Sequence, residues 1–443
     1  MYFFDKKEEF RNRIMCFDGE ENSYTYEDIW NRGDSLTEHI PEGSLVLLLC
    51  GNDVNSLSTY LALLRKRCPV ILLGRDVDES LVSDMRDTYR PEFIIGDGYS
   101  RDRINGKEPL HDELALLLST SGSTGARKLV RLSRDNLQVN CDSIVEYLGI
   151  DGNERPITTL PMEYTYGLSV IHSHIAAGAS IVLTDLTFFS GEFWELVEKL
   201  KVTSMAGVPY SYEILFRRLE MDKMELPYLK TMTQAGGHLK PDLQERVGKW
   251  ALETGRRFFV MYGQTEATAR MSYLPPDKCL EKIGSIGIPV PGGRIEIQDG
   301  ELVYYGRNVS LGYATSREDL QLGDVNEGRL MTGDMAFADE DGYYYISGRK
   351  KRFIKLQGRR IGLDRLQEYL QEILDSEDVV CTGTDDRGVI IWIADDSLME
   401  RKDEIEELFA GKFGIRSRFL HFNLIDEIPR NSSGKTVYAK LGS

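Results

Sequence analysis

LLLSTSGSTGARKLVRLSRDNL, residues 116–137, is the stretch whose reading decides the fold. An apolar run, ELALLLST (113–120), reads as a buried strand that ends in a loop of hydroxyls and glycines with a single late lysine. Glycine lets main chain approach an anion closely, hydroxyls donate hydrogen bonds, and Lys128 supplies charge. Thr120, Ser121, Gly122, Ser123, Thr124, Gly125 and Lys128 are therefore candidate polyphosphate ligands. The loop lacks the GxxxxGK[ST] spacing of a Walker motif. Taken alone it reads equally well as a flexible surface loop.

Outward from that loop the chain alternates. SLVLLLC (44–50), CPVILLG (68–74), EFIIGD (92–97), RPITTLP (155–161), SIVLTD (180–185) and RRFFVMYG (256–263) read as strands. Helical spacing separates several of them, as at 24–40 and 55–67. Strand–helix alternation predicts mixed, mainly parallel sheets covered by helices in a large α/β N-terminal domain. After about residue 284 the pattern changes. RIEIQDGELVYYG (294–306) and DGYYYISGR (341–349) alternate apolar and polar residues around glycine turns, which predicts a β-rich, mostly antiparallel subdomain. A helix at 363–374, a strand at 389–395, a helix at 404–413 and a strand at 419–425 predict a small α+β C-terminal domain. The expected division is 1–349 and 350–443.

Bulk properties narrow the function. The 443 residues are 41% hydrophobic and 28% charged, an ordinary globular composition. A formal net charge of −17 opposes a nucleic-acid backbone as partner, so ATP or an acidic carrier needs a local nest of donors. Six cysteines without a CxxC pair read as reduced thiols in a cytoplasmic protein rather than a disulfide frame or zinc site. The opening MYFFDKKEEF reads as no signal peptide, and no apolar run approaches a membrane span.

Further segments give the loop its context. In order they are LPMEYTYGLSVIHSHIAAGASIVL (160–183), TQAGGHLKPDL (233–243), YGQTEA (262–267), GSIGIPVPGGRIEI (284–297), GELVYYGRNVSLGY (300–313), TGD (332–334), GRKKRFIK (348–355) and PRNSSGK (429–435). Jointly with the loop, they resemble the acyl-adenylate-forming superfamily of acyl-CoA synthetases, peptide-synthetase adenylation domains and luciferases. The loop departs from the family pattern at Arg127 and Leu129, where proline and glycine are usual, but keeps the lysine and the donors.

The resemblance implies an ATP-dependent acid–thiol ligase. A carboxylic acid is adenylated with loss of pyrophosphate, and the acyl group then passes to CoA or to a carrier protein's phosphopantetheine thiol. It implies a face for adenine at Tyr262, with Gly263 and Gln264 in the same motif and Gly236 and Gly237 in the turn beside adenine and the acyl group. Thr265 would meet the α-phosphate, and Glu266 would hold Mg²⁺. Asp334 would hold the ribose hydroxyls, and Arg349 would also reach the nucleotide. Lys435, on a mobile terminal domain, would stabilise the meeting of carboxylate and α-phosphate. Lys351 matches the family hinge and Gly358 the thiol tunnel. Beyond that glycine, Arg365 and Gln367 stand where the family usually has acids. Tyr164, Thr165, Tyr166, Gly236 and Gly237 are expected to line the acid pocket. Thr165 occupies the place of the aspartate that binds an ammonium in amino-acid-activating relatives, which disfavours a free α-amino acid. The alternatives at this stage are a non-catalytic nucleotide-binding paralogue, a ligase serving only a carrier protein, and a luciferase-like oxygenase.

Overall fold

Short apolar runs between turn signals become the strands of two large sheets in a computed structural model of the chain. It describes every residue except 97, 99–102, 120–127, 357–358, 386, 431–435 and 442–443. The described chain forms two compact units. The larger runs up to Ile295 and adds Tyr304–Leu330, and the smaller takes Glu296–Val303 and the chain from Met331 onward. The boundary expected at residue 349 falls inside the smaller unit.

The larger unit holds a nine-stranded and a six-stranded sheet. In the first, Ser204–Gly207, Thr231–Gln234 and Arg257–Tyr262 run parallel, with Gly207 beside Gln234 and Gln234 beside Val260. Antiparallel strands Ser272–Leu274 and Ile288–Pro289 extend one edge. The carboxyl ends of the parallel strands thus release three loops side by side, where open α/β sheets place their ligands. Helix Thr165–Ala176 contributes Leu168, Ile171 and Ile175 to the buried core.

In the second sheet, Leu114–Ser119 pairs antiparallel with Leu129–Ser133, which pairs with Gly312–Ala314. Tyr313 lies opposite Val130 and Ala314 opposite Leu129. The helix after the loop, Arg134–Leu148, starts on a Ser133/Asn136 capping box and stops at left-handed Gly149. The run 155–161 yields only a two-residue strand, Pro156–Ile157. Its continuation is held by side chains instead: Thr158 donates through Oγ1 to the Thr184 carbonyl and accepts from the Thr184 amide.

Most residues of a four-stranded sheet belong to the smaller unit, in the order Arg294–Gln298, Glu301–Tyr305, Arg329–Ala338, Tyr344–Arg349. From residue 353 a separate core forms. Helix Leu363–Leu374 buries Leu363, Leu366, Leu370 and Leu374, one stripe at helical spacing, in a core that also holds Val379, Cys381, Val389 and Ile391. Those partners belong to a three-stranded sheet of Val379–Thr384, Gly388–Ile393 and Leu420–Leu424.

Leu370 is fully buried in that core. Leu370→Ala should cost about 2–5 kcal/mol. Hydrogen exchange checks it: amides of Val379–Thr384 and Gly388–Ile393 should lose protection, while the nine-stranded sheet keeps its own.

Candidate functional site

The YGQTEA loop leaves strand Arg257–Tyr262 and doubles back at once. A Cβ at Gly263 would lie 1.6 Å from the Ala269 carbonyl oxygen, so only glycine admits this reversal. A 3₁₀ turn, Thr265–Ala267, follows, and Thr268 closes it in the left-handed region at φ 65°. Asn308, from the GRNVSLGY segment, braces the turn. Its amide donates to the carbonyls of Ala267 (2.9 Å) and Arg270 (3.1 Å), and its Oδ1 accepts from the Tyr304 hydroxyl (2.9 Å). Thr268 donates to the Asn308 carbonyl, and the Ser310 amide to that of Glu266.

This bracing sets a compact charged cluster. Glu266 Oε1 accepts a 2.6 Å hydrogen bond from the Tyr313 hydroxyl. Lys128 Nζ lies 3.6 Å from the centre of the Tyr313 ring, a cation–π contact. Burial first, then the Glu266 charge, raises the Tyr313 pKa, so the hydroxyl stays a donor. The lysine after the loop and the carboxylate of YGQTEA, 138 positions apart in sequence (266 minus 128), thus meet on one ring. Sequence reasoning quoted Tyr313 within its segment but gave it no role. Its place is set by register, with Gly312 opposite Arg131 and Tyr313 opposite Val130 on the strand that follows Lys128.

Gln264 donates to the Tyr262 hydroxyl at 3.2 Å. Gly236 has φ +87°, and a Cβ there would lie 2.5 Å from the Tyr164 hydroxyl. The turn that carries it is tied by Gln234, which donates to the Gly237 carbonyl at 2.9 Å. Tyr164 and Tyr166 meet edge to face at 6.3 Å. Burial raises the pKa of both. The Tyr166 hydroxyl donates to the Thr233 carbonyl (2.7 Å), and the Thr165 hydroxyl to that of Thr268 (3.0 Å). Thr165 is thus spent on main chain.

The smaller unit gathers a second cluster. Antiparallel register puts Asp334 opposite Arg349, and they form a 2.7 Å ion pair. Asp334 is 2% exposed, with its amide bonded to Thr332 Oγ1. Beside it, Glu301 accepts from the Gly333 amide (3.0 Å) and from Lys350 (2.6 Å). Lys351 lies in the turn Lys350–Arg352. Asp364 accepts from the Arg349 amide and the Arg352 guanidinium, one position ahead of the first expected acid. Gln367 accepts from Arg352, the Cys381 amide and the Tyr438 hydroxyl. The candidates at 120–125, Gly358 and Lys435 lie outside the described residues.

Among the described residues no three His, Cys, Asp or Glu side chains converge on a metal position. Glu266 fits Mg²⁺ as a single hard carboxylate ligand, a cation that takes its remaining ligands from phosphate and water. All six cysteines are buried and unbridged. Among the described residues no helix is long and apolar enough to cross a membrane.

The signature described as "AMP-binding enzyme" matches residues 69–314, more than half of the chain. The chain belongs to the AMP-binding enzyme family, and with that membership comes the class of ATP-dependent acid–thiol ligase. It is 28% identical to the 2-succinylbenzoate–CoA ligase of Bacillus pumilus (strain SAFR-032) over 345 residues, covering 75% of this chain and 69% of that protein. It is 25% identical to the peroxisomal OPC-8:0-CoA ligase 1 of Arabidopsis thaliana, covering 93% and 77%. Its fold matches that of o-succinylbenzoate CoA synthetase from Bacillus subtilis, solved with its acyl-adenylate intermediate. The TM-score is 0.82 at 22% identity, over 98% of this chain and 96% of that one.

Asn308→Ala would remove three hydrogen bonds and leave the Tyr304 hydroxyl without its acceptor, while the Ala267 carbonyl keeps the Ala269 amide and the Arg270 carbonyl keeps Asn140. It should cost about 1–3 kcal/mol, read as a lower urea midpoint. Gly263→Ala should destabilise more, because the clash is with main chain.

Proposed function

We propose that this chain condenses a small carboxylic acid with ATP to acyl-AMP and pyrophosphate, then passes the acyl group to CoA. A carboxylate oxygen attacks the α-phosphorus, the bond to the bridging oxygen of pyrophosphate breaks, and pyrophosphate leaves. In the second step a thiol attacks the acyl carbonyl, the C–O bond to AMP breaks, AMP leaves, and the thiol proton passes to solvent. The CoA-ligase relatives support CoA as acceptor; a carrier-protein thiol is the second acceptor that the same chemistry accommodates.

The observation that carries this reading is the Lys128–Tyr313–Glu266 cluster beside a glycine-dependent loop. It supplies one cation for phosphate oxygens and one carboxylate for a phosphate-bound Mg²⁺, held 2.6 Å from a hydroxyl that orients it. Mg²⁺, when bound, neutralises phosphate charge. Thr265, on the same turn, is assigned to the α-phosphate, and Tyr262, Gly263, Gln264, Gly236 and Gly237 to the adenine and acyl region. Residues 120–125 are assigned to the polyphosphate. Asp334 is assigned to the ribose hydroxyls, since a carboxylate accepts two hydrogen bonds, with Arg349 holding it by the ion pair and reaching the nucleotide. Lys435 is assigned to the first step only, Gly358 to the thiol path and Lys351 to the hinge between residues 1–349 and 350–443. Tyr164, Thr165 and Tyr166 are assigned to the acid pocket, and cytoplasm is the proposed compartment.

ATP–pyrophosphate exchange across a panel of acids, with Mg²⁺ and no thiol, tests the reading. At least one class of acid should support exchange, and absence of exchange with every acid would contradict it. Lys435→Ala should cut exchange roughly 100-fold or more while sparing thioester formation from supplied acyl-AMP. Asp334→Asn should raise the ATP KM roughly tenfold or more, the loss expected of a charge-assisted bond.

A further inference from the structure

Lys128 and Glu266 carry opposite charges and share one ring, yet they do not pair. The ammonium lies 3.6 Å from the centre of the Tyr313 ring, and the carboxylate accepts a 2.6 Å hydrogen bond from the hydroxyl of that tyrosine. Among the described residues neither side chain forms an ion pair. Elsewhere in the chain neighbouring opposite charges close directly, Arg349 on Asp334 at 2.7 Å and Lys350 on Glu301 at 2.6 Å.

A direct pair between Lys128 and Glu266 would satisfy both groups and leave each less available to a ligand. The ring holds the ammonium on its face without cancelling its charge, because the attraction comes from the ring quadrupole. The hydroxyl occupies only one of the carboxylate's several acceptor positions. Burial first, then the Glu266 charge, keeps that hydroxyl protonated and donating.

The ring is anchored through main chain. Its strand, Gly312–Ala314, pairs with Leu129–Ser133, the strand that starts directly after Lys128. From that second strand the fully buried Arg131 donates to the carbonyls of Leu311, Tyr313, Leu322 and Gly323. Four carbonyls on one guanidinium fix the backbone at position 313 whatever side chain stands there. Tyr313 itself is 39% exposed, between buried Gly312 and buried Ala314. A side chain this open contributes little to the core, and what it touches is Lys128 and Glu266.

We propose that Tyr313 is a positioning residue for adenylation. Its phenol is a spacer that keeps Lys128 and Glu266 from neutralising each other, so the ammonium stays free for the polyphosphate of ATP and the carboxylate for Mg²⁺. Without the phenol, the flexible lysine side chain closes on the carboxylate, and phosphate has to compete with Glu266 for it. The inference rests on the adenylation reading and deepens it.

Calorimetry with ATP in excess EDTA reads the lysine without Mg²⁺ and without turnover, and AMP, which lacks the polyphosphate, is the control. Tyr313→Leu should weaken ATP binding roughly fivefold or more, the scale of one ion pair near the surface, and leave AMP binding unchanged. Glu266→Gln added to Tyr313→Leu should restore ATP binding to that of Glu266→Gln alone, because the amide offers the ammonium no charge. Tyr313→Phe, which keeps the ring, should bind ATP as the wild type does. Unchanged ATP binding in Tyr313→Leu, an equal loss for AMP, no recovery in the double variant, or a loss in Tyr313→Phe as large as in Tyr313→Leu would each overturn the inference. Equal losses for the two nucleotides are what a purely structural role would give. Failure of the adenylation reading looks different: the binding cycle holds, but no acid supports pyrophosphate exchange.

Discussion

The Ala269 carbonyl occupies the place where any side chain at position 263 would begin. That one contact forces the chain to reverse directly after its strand, and the rest of the larger unit's site depends on the reversal. It brings Glu266 to Tyr313, and it carries Arg270 inward beneath Tyr166. Glycine alone would leave the loop free to open. Asn308 closes it by satisfying two carbonyls of the turn and one hydroxyl with a single side chain. Buried main-chain polar groups have to be paired, so the segment carrying Asn308 and the loop are energetically one piece.

Charged groups of the two clusters are held by neighbouring side chains and main chain. Glu266 takes a hydroxyl, Lys128 an aromatic face, Asp334 a guanidinium, Glu301 an amide and an ammonium. These arrangements hold the side chains in position before any ligand arrives, which is how preorganised electrostatics acts on a transition state.

Much of this was legible in the sequence. Apolar runs and glycine turns located the strands and the terminal helix, whose bounds match at Leu363–Leu374. The ordered motifs marked Glu266, Asp334 and Arg349. What sequence reasoning could not supply was partnership. Strand register sets Asp334 against Arg349 and Tyr313 against Val130, and register follows from the whole sheet rather than from any motif. The hydroxyl of Thr165, an expected pocket residue, is bound to the Thr268 carbonyl, a partner 103 positions away that no motif announces. Arg365 and Gln367 stand where the family usually has acids, and Asp364 and Gln367 gather the neighbouring donors, because a helix face rather than a motif column decides which side chain reaches Arg352.

The central claim is that the acid's own oxygen attacks the α-phosphorus. A single turnover with a carboxyl-¹⁸O-labelled acid that supports exchange, with Mg²⁺-ATP and CoA present, tests it directly. One labelled oxygen should appear in the phosphate of AMP and none in pyrophosphate. Label appearing in inorganic phosphate with ADP as the nucleotide product, or label absent from AMP while thioester forms, would contradict the account.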